Sequence, residues 1–272
     1  MQQFQTAKRS PQEFKKLVRR FVVPLVKNRK WDRVCEIGAC NGDTTDLLLE
    51  HGVSQITVVD PCLDHDLVAK YQGNPRVMVK KATSLEILPE LHGNFDCVLI
   101  DGDHNWYTVY NELRIISELD MLLPGGMIFF HDVAWPWGRR DMYYQPHTIP
   151  AEFVHQHDFR GIVSGQSELS DVGTAREVQK ATHEGGIHNG VLTAIEDFLT
   201  EHKNEYNFAR VHRDYGLGIL CRRSSSIEDF KFLELKCRCF ADNTAFKTTS
   251  YVRKQFPVAW SAAKLFRGRS IA

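Results

Sequence analysis

Short apolar segments alternate with longer amphipathic ones in the first half of the chain. Residues at helical spacing are clearest after His104, where Trp106, Tyr110 and Leu113 predict one face of a helix. Such an alternation is typical of a parallel sheet whose strands are joined by crossover helices. The segments rich in β-branched and aromatic residues, which we predict to be strands, are 33–37, 56–60, 77–80, 95–100 and 127–130.

Helices and a hairpin are predicted on either side of this region. Ser10 is followed by Pro11 and Glu13, the arrangement of a capping box, so residues 1–30 are predicted to hold a basic amphipathic helix. Residues 190–202 repeat apolar positions on one helix face. Two further apolar segments, 208–212 and 217–221, are separated by a turn sequence, which predicts a β-hairpin that closes the sheet.

The periodic pattern fails over residues 135–189, a polar and aromatic stretch with many glycine, proline and histidine residues. A structureless insertion of this length is usually functional, so we predict a lid or a substrate loop. The chain then divides into a helical segment 1–30, a main domain 31–223 and a basic extension 224–272. That extension is expected either to pack on a second subunit of a homo-oligomer or to be a solvated end.

Charge and cysteine content limit the classes of partner. The 34 basic residues balance the 34 acidic ones, which argues against nucleic acid or a membrane surface as the partner. No apolar run is long enough to span a bilayer, and the N-terminus shows no export signal. The seven cysteines include no CxxC pair, so we expect them to be reduced in a cytoplasmic protein.

A glycine loop follows the first predicted strand. Glu36 ends that strand, and Gly38 and Gly42 allow the backbone to turn sharply and approach a ligand. A dinucleotide loop requires GxGxxG, whereas position 40 here is Cys. Asp60 ends the second strand, where its carboxylate can accept hydrogen bonds from two ribose hydroxyls.

Glu36 followed by GxxxG resembles the first motif of class I S-adenosylmethionine-dependent methyltransferases. Residues 79–84, 95–101 and 123–130 resemble the later motifs of the same family, so the resemblance covers 31–133 and the closing hairpin. It implies a Rossmann-like α/β fold. The expected sheet has seven strands in the order 3-2-1-4-5-7-6, with helices on both faces and one antiparallel strand.

The same resemblance implies that S-adenosylmethionine is the cofactor. Ala82 and Ser84, in the loop after the third strand, correspond to the adenine contacts of the family. The residues expected to bind the cofactor are Glu36, Gly38, Ala39, Gly42, Thr44, Asp60, Pro61, Ala82, Ser84 and Asp101.

Acidic residues and histidines follow the fourth and fifth predicted strands. Asp101 and His104 come after the fourth, and His131 and Asp132 after the fifth, so these side chains should converge at one edge of the sheet. Carboxylates suit a hard divalent cation, which lowers the pKa of a bound hydroxyl. A histidine nearby can take the proton that this hydroxyl loses.

The Asp-x-x-His spacing with a second acidic site resembles metal-dependent sugar O-methyltransferases of macrolide biosynthesis and their cephalosporin-hydroxylase-like relatives. The resemblance implies that Asp101 and Asp132 bind metal, with Mg²⁺ or another divalent cation expected, and that His104 is the general base. Those enzymes have an acidic pair where this chain has His131 and Asp132. The third ligand is therefore either His131 or a group from elsewhere, which leaves the identity of the metal open.

The insertion begins directly after the fifth strand and mixes aromatic rings with charged side chains, a composition suited to binding a sugar or an aromatic ring. The predicted function is methyl transfer to a hydroxyl of a small molecule, either a sugar or a glycosylated metabolite. The alternatives are a catechol-type metal-dependent O-methyltransferase and a non-catalytic S-adenosylmethionine-binding protein. The residues expected to contact the acceptor are Trp135, Arg139, Arg140, Tyr143 and His188.

Overall fold

A computed structural model describes residues 12–63, 65–223 and 227–241. The predicted cap at Ser10 and residues 242–272 of the basic extension lie outside these ranges. The strands are β1 (Arg33–Ile37), β2 (Gln55–Val59), β3 (Val77–Lys80), β4 (Phe95–Ile100), β5 (Leu122–His131), β6 (Met142–Tyr143), β7 (His157–Asp158), β8 (Gln179–Ala181), β9 (Tyr206–Val211) and β10 (Leu217–Arg222). The α-helices are α1 (Gln12–Phe21), α2 (Val23–Arg29), α3 (Asp43–Glu50), α4 (His65–Tyr71), α5 (Ser84–Ile87), α6 (Trp106–Glu118), α7 (Val191–Glu201) and α8 (Ile227–Ala241).

Seven strands form the central sheet in the order β3-β2-β1-β4-β5-β10-β9. Neighbours from β3 to β5 are parallel, whereas β10 is antiparallel to both β5 and β9. Because β9 and β10 are the sixth and seventh strands of this sheet along the chain, the predicted order 3-2-1-4-5-7-6 is confirmed. The hairpin that closes the sheet is the predicted one.

Both faces of the sheet are buried, which explains the continuous apolar runs of its strands. Successive side chains of a strand point to opposite faces. In β4, Cys97 and Leu99 join the core under α1, α2, α3, α4 and α8, while Val98 and Ile100 join the core under α6 and α7. The predicted layers of helices on the two faces are therefore present.

The insertion 135–189 differs from the prediction of a structureless segment. It holds a second, antiparallel sheet in the order β6-β8-β7. The strands contain only two or three residues, too few for an apolar period to be recognised in the sequence. The insertion also has a small apolar core of its own, formed by Trp137, Met142, Ile162, Leu169 and Val178.

Asp141 joins the insertion to the main domain. Its buried carboxylate accepts hydrogen bonds from the backbone N–H groups of Trp106 and Gly190, each at 2.7 Å, at the N-terminal ends of α6 and α7. The hydroxyl of Tyr143 donates a third at 3.0 Å. A negative charge is favourable at a helix N-terminus, although burial raises the pKa of Asp141 to about 6. One side chain thus fixes the insertion against two helices.

Among the residues that the structure describes, none of the helices combines the length and the apolar character that crossing a bilayer requires.

Candidate functional site

The glycine loop after β1 is packed so closely that it tolerates no side chain at two positions. Gly38 and Gly42 have φ values of +86° and +77°, in the left-handed region that favours glycine. A Cβ on Gly38 would lie 2.3 Å from the carbonyl oxygen of Asp101, and one on Gly42 would lie 2.4 Å from the hydroxyl of Tyr71. The loop therefore lies directly against the end of β4.

Glu36 is buried beneath this loop. Its Oε2 accepts a hydrogen bond from the hydroxyl of Thr45 at 2.5 Å, which connects the end of β1 to the first turn of α3. Burial raises the pKa of Glu36 to about 8, against the opposing effect of this hydrogen bond. Glu36 thus helps to fix the shape of the glycine loop, because it joins the elements on either side of it.

Asp60 connects two loops at the ends of β1 and β2. Its Oδ2 accepts from the N–H of Cys40 at 3.0 Å, and its Oδ1 accepts from the N–H of Cys62 at 2.7 Å. Each carboxylate oxygen can accept a second hydrogen bond, so Asp60 keeps the capacity to receive hydroxyl donors. This capacity fits the predicted contact with ribose.

The other predicted cofactor residues lie near the same edge of the sheet. Ala39 and Thr44 are buried in and after the glycine loop, and Pro61 is exposed beside Asp60. Ala82 is half-buried in the loop after β3, whereas Ser84 is buried in the first turn of α5. Ala82 therefore presents more surface than Ser84 to a ligand.

Asp101, His131 and Asp132 meet at the ends of the neighbouring strands β4 and β5. His131 Nδ1 lies 2.9 Å from Asp101 Oδ1 and 3.1 Å from Asp132 Oδ2. One ligand atom of each residue lies within 4.8 Å of the other two, the separation that a shared metal ion allows. The convergence that the sequence predicted is therefore present.

The hydrogen bonding of His131 tests whether this group suits a cation. Its Nε2 lies 3.0 Å from the main-chain carbonyl oxygen of Asp214, an acceptor, so Nε2 carries the hydrogen. The Nδ1 atom faces the carboxylates of Asp101 and Asp132, which also only accept, so without a cation both ring nitrogens carry a hydrogen. A cation would displace the hydrogen on Nδ1, while the hydrogen bond of Nε2 would keep the ring oriented. Two carboxylate oxygens and one imidazole nitrogen fit a divalent cation. Burial lowers the pKa of His131, but the charges of Asp101 and Asp132 outweigh it and hold this pKa well above its ordinary value.

Asp132 has an unusual backbone. Its φ is +58°, in a region that few residues other than glycine occupy but that Asp and Asn tolerate. Its side chain is 1% exposed. Burial raises the pKa of Asp132, but the charges of His131 and His104 outweigh it and hold this pKa well below its usual range. Such a backbone, held in place by its surroundings, is typical of functional sites.

His104 completes the cluster. Its Nε2 lies 2.8 Å from Asp132 Oδ2 and 3.7 Å from Asp101 Oδ1. Burial lowers the pKa of His104, yet the two carboxylates raise it to about 9. The His104 carbonyl accepts a hydrogen bond from the N–H of Met142 at 3.0 Å, so the insertion is attached to the cluster itself.

Two of the predicted acceptor contacts line a groove of about 600 Å³. Trp135 is 39% exposed, and Arg139 forms an ion pair with Glu196 at 2.7 Å. Glu184 lies on the same groove. His188 lies elsewhere in the insertion, with its ring centroid 3.9 Å from that of Trp106.

Arg140 and Tyr143 were predicted to contact the acceptor, but the structure places both in the interior. They are 1% and 2% exposed. The guanidinium of Arg140 donates to the carbonyls of Ser167 and Ala181, and Tyr143 bonds to the carboxylate of Asp141. Their polar groups hold the insertion together, so the side chains present almost no surface to a ligand.

Three aromatic residues near the cluster were not predicted from the sequence. The ring of Phe14 on α1 lies 5.0 Å from that of His131. Tyr144 lies 6.2 Å from His104, and Tyr215 lies 6.2 Å from His131, between ring centroids. Tyr144 lies within the predicted insertion and Tyr215 within the predicted hairpin turn, whereas Phe14 has no comparable signal in the sequence.

Residues 35–133, which run from β1 to just beyond Asp132, match a family model described as a methyltransferase domain. This part of the chain therefore carries a methyltransferase domain. The match confirms the family resemblance, and the strand order of the central sheet is the one that this resemblance implies. The comparison with curated proteins finds no match.

Solved structures with a similar fold include the methyltransferase PaMTH1 of Podospora anserina bound to S-adenosylhomocysteine. It has a TM-score of 0.50 and 16% identity, over 79% of this chain and 83% of that chain. An O-methyltransferase from Bacillus cereus in complex with S-adenosylhomocysteine has a TM-score of 0.46 and 15% identity, over 81% and 84% of the two chains. TomG of Streptomyces achromogenes, solved with S-adenosylmethionine and involved in tomaymycin synthesis, has a TM-score of 0.43 and 15% identity, over 79% and 81%.

Proposed function

We propose that the methyltransferase domain moves the methyl group of S-adenosylmethionine to a hydroxyl of a small molecule. The observation that supports this most is the contact between the two halves of the site. Gly38 of the glycine loop lies against the main chain of Asp101, whose side chain belongs to the Asp101, His131 and Asp132 cluster. A cofactor on this loop would have its methyl group close to the cluster.

The reaction transfers one carbon. The acceptor oxygen forms a bond to the methyl carbon while the bond from carbon to sulfur breaks, and its electron pair stays on sulfur in S-adenosylhomocysteine. The hydroxyl proton must leave, and the imidazole of His104, in its neutral form, is the group proposed to receive it. The carboxylates of Asp101 and Asp132 stabilise the protonated ring, at 3.7 and 2.8 Å. Placing oxygen and methyl in line supplies much of the acceleration of such a transfer.

The carboxylates of Asp101 and Asp132 and Nδ1 of His131 would hold a divalent cation. A cation at this position lowers the pKa of a hydroxyl that binds to it. Carboxylates suit Mg²⁺ or Mn²⁺, while the imidazole nitrogen increases the affinity for softer metals, so the donor set fits several divalent ions. The main-chain carbonyl of Asp214 keeps His131 in the tautomer that this role needs.

The groove beside Trp135 supports a sugar or a glycosylated metabolite as the acceptor. Trp135 offers an exposed aromatic face, and Arg139 and Glu184 offer hydrogen-bonding groups on the same groove. A flat aromatic surface combined with a few polar groups is a common way to bind a sugar ring. Trp135 follows Asp132 by three residues, so its main chain lies at most about 11 Å from that of Asp132.

A library of hydroxyl compounds tests this function. The purified protein is incubated with S-adenosylmethionine carrying a deuterated methyl group, with Mg²⁺ or Mn²⁺, and with sugars, glycosides, phenols and catechols. We expect mass spectrometry to detect the deuterated methyl group on a sugar or glycoside. Product from catechols alone would favour the catechol-type enzyme. Cofactor binding without any methylated product would favour a non-catalytic cofactor-binding protein.

A further inference from the structure

Two exposed tyrosines lie against the two histidines of the cluster. The ring of Tyr144 lies 6.2 Å from that of His104 at an interplanar angle of 65°, and the ring of Tyr215 lies 6.2 Å from that of His131 at 89°. Tyr144 is 46% exposed and Tyr215 is 37% exposed. Exposed aromatic side chains are common singly. Here, two exposed tyrosines come from separate segments of the chain, and each lies edge-on to a histidine ring of the same polar cluster. Together they form an aromatic surface beside the cluster.

The turn that carries Tyr215 has a backbone that tyrosine rarely adopts. Asp214 and Tyr215 have φ values of +55° and +65°, and the N–H of Gly216 donates to the carbonyl of Arg213 at 2.9 Å. These features describe a type I′ turn, whose central positions normally hold Asn, Asp or Gly. A bulky residue there is strained and persists only where its surroundings fix it.

Contacts on each side fix this turn. The Tyr215 carbonyl accepts a hydrogen bond from the N–H of Ala134 at 2.8 Å, and the Asp214 carbonyl faces His131 Nε2 at 3.0 Å. Gly216 packs so tightly that a Cβ there would lie 2.6 Å from the Ala134 nitrogen. The turn therefore holds the ring of Tyr215 beside the cluster, in a position that the local sequence preference does not favour.

Tyr144 is held in a comparable way. It follows β6, and the N–H of Met142 in that strand donates to the carbonyl of His104. Tyr143 beside it is buried and bonded to Asp141, which is itself fixed to α6 and α7. The main chain beside Tyr144 is therefore anchored to the segment between β4 and α6 that contains His104.

We infer that Tyr144 and Tyr215 are acceptor-binding residues that contact the ring bearing the hydroxyl to be methylated. This inference rests on the proposed function and adds the residues that select the acceptor. A tyrosine ring offers a large, rigid surface at a small cost in conformational entropy, and it binds the flat face of a sugar or an aromatic ring. The acceptor class is therefore a ring compound whose hydroxyl reaches the Asp132 cluster while its face lies on one or both tyrosines.

Fluorine NMR tests the contact without requiring turnover. The full chain is labelled with fluorotyrosine and saturated with S-adenosylhomocysteine and Mg²⁺, and the resonances of Tyr144 and Tyr215 are assigned with Tyr144→Phe and Tyr215→Phe. Methyl glucoside and catechol are the probes. We expect at least one probe to shift both resonances while those of Tyr107 and Tyr110 on α6 stay unchanged. Unchanged resonances of Tyr144 and Tyr215 with both probes at millimolar concentration would overturn the inference.

Kinetics with the acceptor found in the library separate ring contact from an effect on His131. Tyr215→Asn removes the ring but keeps a residue that tolerates the left-handed turn, and Tyr215→Phe keeps the ring. We expect the Asn variant to raise KM for the acceptor about tenfold with kcat changed less than about twofold, and the Phe variant to resemble wild type. A lower kcat with unchanged KM would overturn the contact role of Tyr215. Shifted tyrosine resonances without methyl transfer would support the binding surface and contradict the proposed reaction.

Discussion

His131 and Asp214 are joined by a hydrogen bond between a side chain and the main chain. The Nε2 atom of His131, at the end of β5, lies 3.0 Å from the carbonyl oxygen of Asp214, in the turn between β9 and β10. The antiparallel hairpin thereby orients a side chain of the parallel sheet. Because this bond uses the hydrogen on Nε2, it leaves Nδ1 of His131 directed at Asp101 and Asp132.

The first prediction concerns metal affinity. His131→Ala removes one of three donors, and we expect the dissociation constant for Mn²⁺, measured by calorimetry with S-adenosylhomocysteine present, to rise at least about tenfold. His147→Ala, at an exposed position of the insertion, is the matched control and should bind Mn²⁺ as the wild type does. Equal affinity of the His131 variant and the wild type would remove His131 from the ligand set.

The second prediction separates the charge of Asp132 from its backbone. Asn accepts a left-handed φ as readily as Asp, so Asp132→Asn removes the charge with little added strain. We expect methyl transfer to be lost and the affinity for S-adenosylhomocysteine to stay within a few-fold, as measured by radiolabel transfer and calorimetry. Asp132→Ala is expected to unfold at a lower temperature than the Asn variant, since Ala tolerates this backbone less well. Loss of cofactor binding in the Asn variant would place Asp132 in the cofactor site instead.

The third prediction concerns the glycine loop. Gly42→Ala places a Cβ 2.4 Å from the Tyr71 hydroxyl, whereas at Gly52 no atom lies within 4 Å of the added Cβ. Both residues have left-handed φ values, so both variants carry the same class of backbone strain, about 1–2 kcal/mol. We expect only Gly42→Ala to weaken S-adenosylhomocysteine binding, measured by calorimetry. Equal affinities in the two variants would show that the loop at Gly42 does not shape the cofactor site.

The fourth prediction concerns pH and Asp141. Burial raises the pKa of Asp141 in the folded chain to about 6, above its value in the unfolded chain, so the folded state binds more protons between these values. Its contribution to stability is therefore present at low pH and is lost as the pH rises through 6. Asp141→Asn keeps an oxygen for Trp106 and Gly190 but cannot ionise.

Relative to the Asn variant, we expect the free energy of unfolding of the wild type to fall by roughly 2 kcal/mol between pH 4 and pH 7. Urea titrations of both proteins at each pH measure this difference. A difference that stays constant with pH would show that Asp141 ionises in the folded chain as it does in the unfolded one.

Much of the main domain could be predicted because its signals are local. Strands β1, β3 and β4 have the bounds that the apolar runs predict. β1 and β4 are buried on both faces and show one continuous run, whereas β3 is an edge strand with Met78 exposed. Asp101 and Asp132 were predicted to meet because the carboxyl ends of neighbouring parallel strands lie at one edge. The hydrogen bond between His131 and the carbonyl of Asp214 could not be predicted. It depends on the register of the β9–β10 hairpin against β5, and neither segment's sequence indicates that register.

The insertion could not be predicted to the same depth. Arg140 and Tyr143 looked like ligand-binding residues by composition, yet both are buried and bonded to the chain itself. An arginine can be buried where main-chain carbonyls accept its hydrogen bonds, as those of Ser167 and Ala181 do here. Main-chain acceptors cannot be recognised from the side chains in the sequence. Tyr215 could not be predicted for another reason. The type I′ turn in which it lies usually holds Gly, Asn or Asp at this position, so a tyrosine there is unexpected.

The measurement that tests the account most directly is a crystal structure of the full chain with S-adenosylhomocysteine and Mn²⁺. The central claim is that the glycine loop and the Asp101, His131 and Asp132 cluster form one site. We expect anomalous density for manganese among these three residues, with the cofactor on the loop at Gly38 and its sulfur facing the metal. Manganese bound elsewhere, or a cofactor whose sulfur points away from the cluster, would contradict the claim.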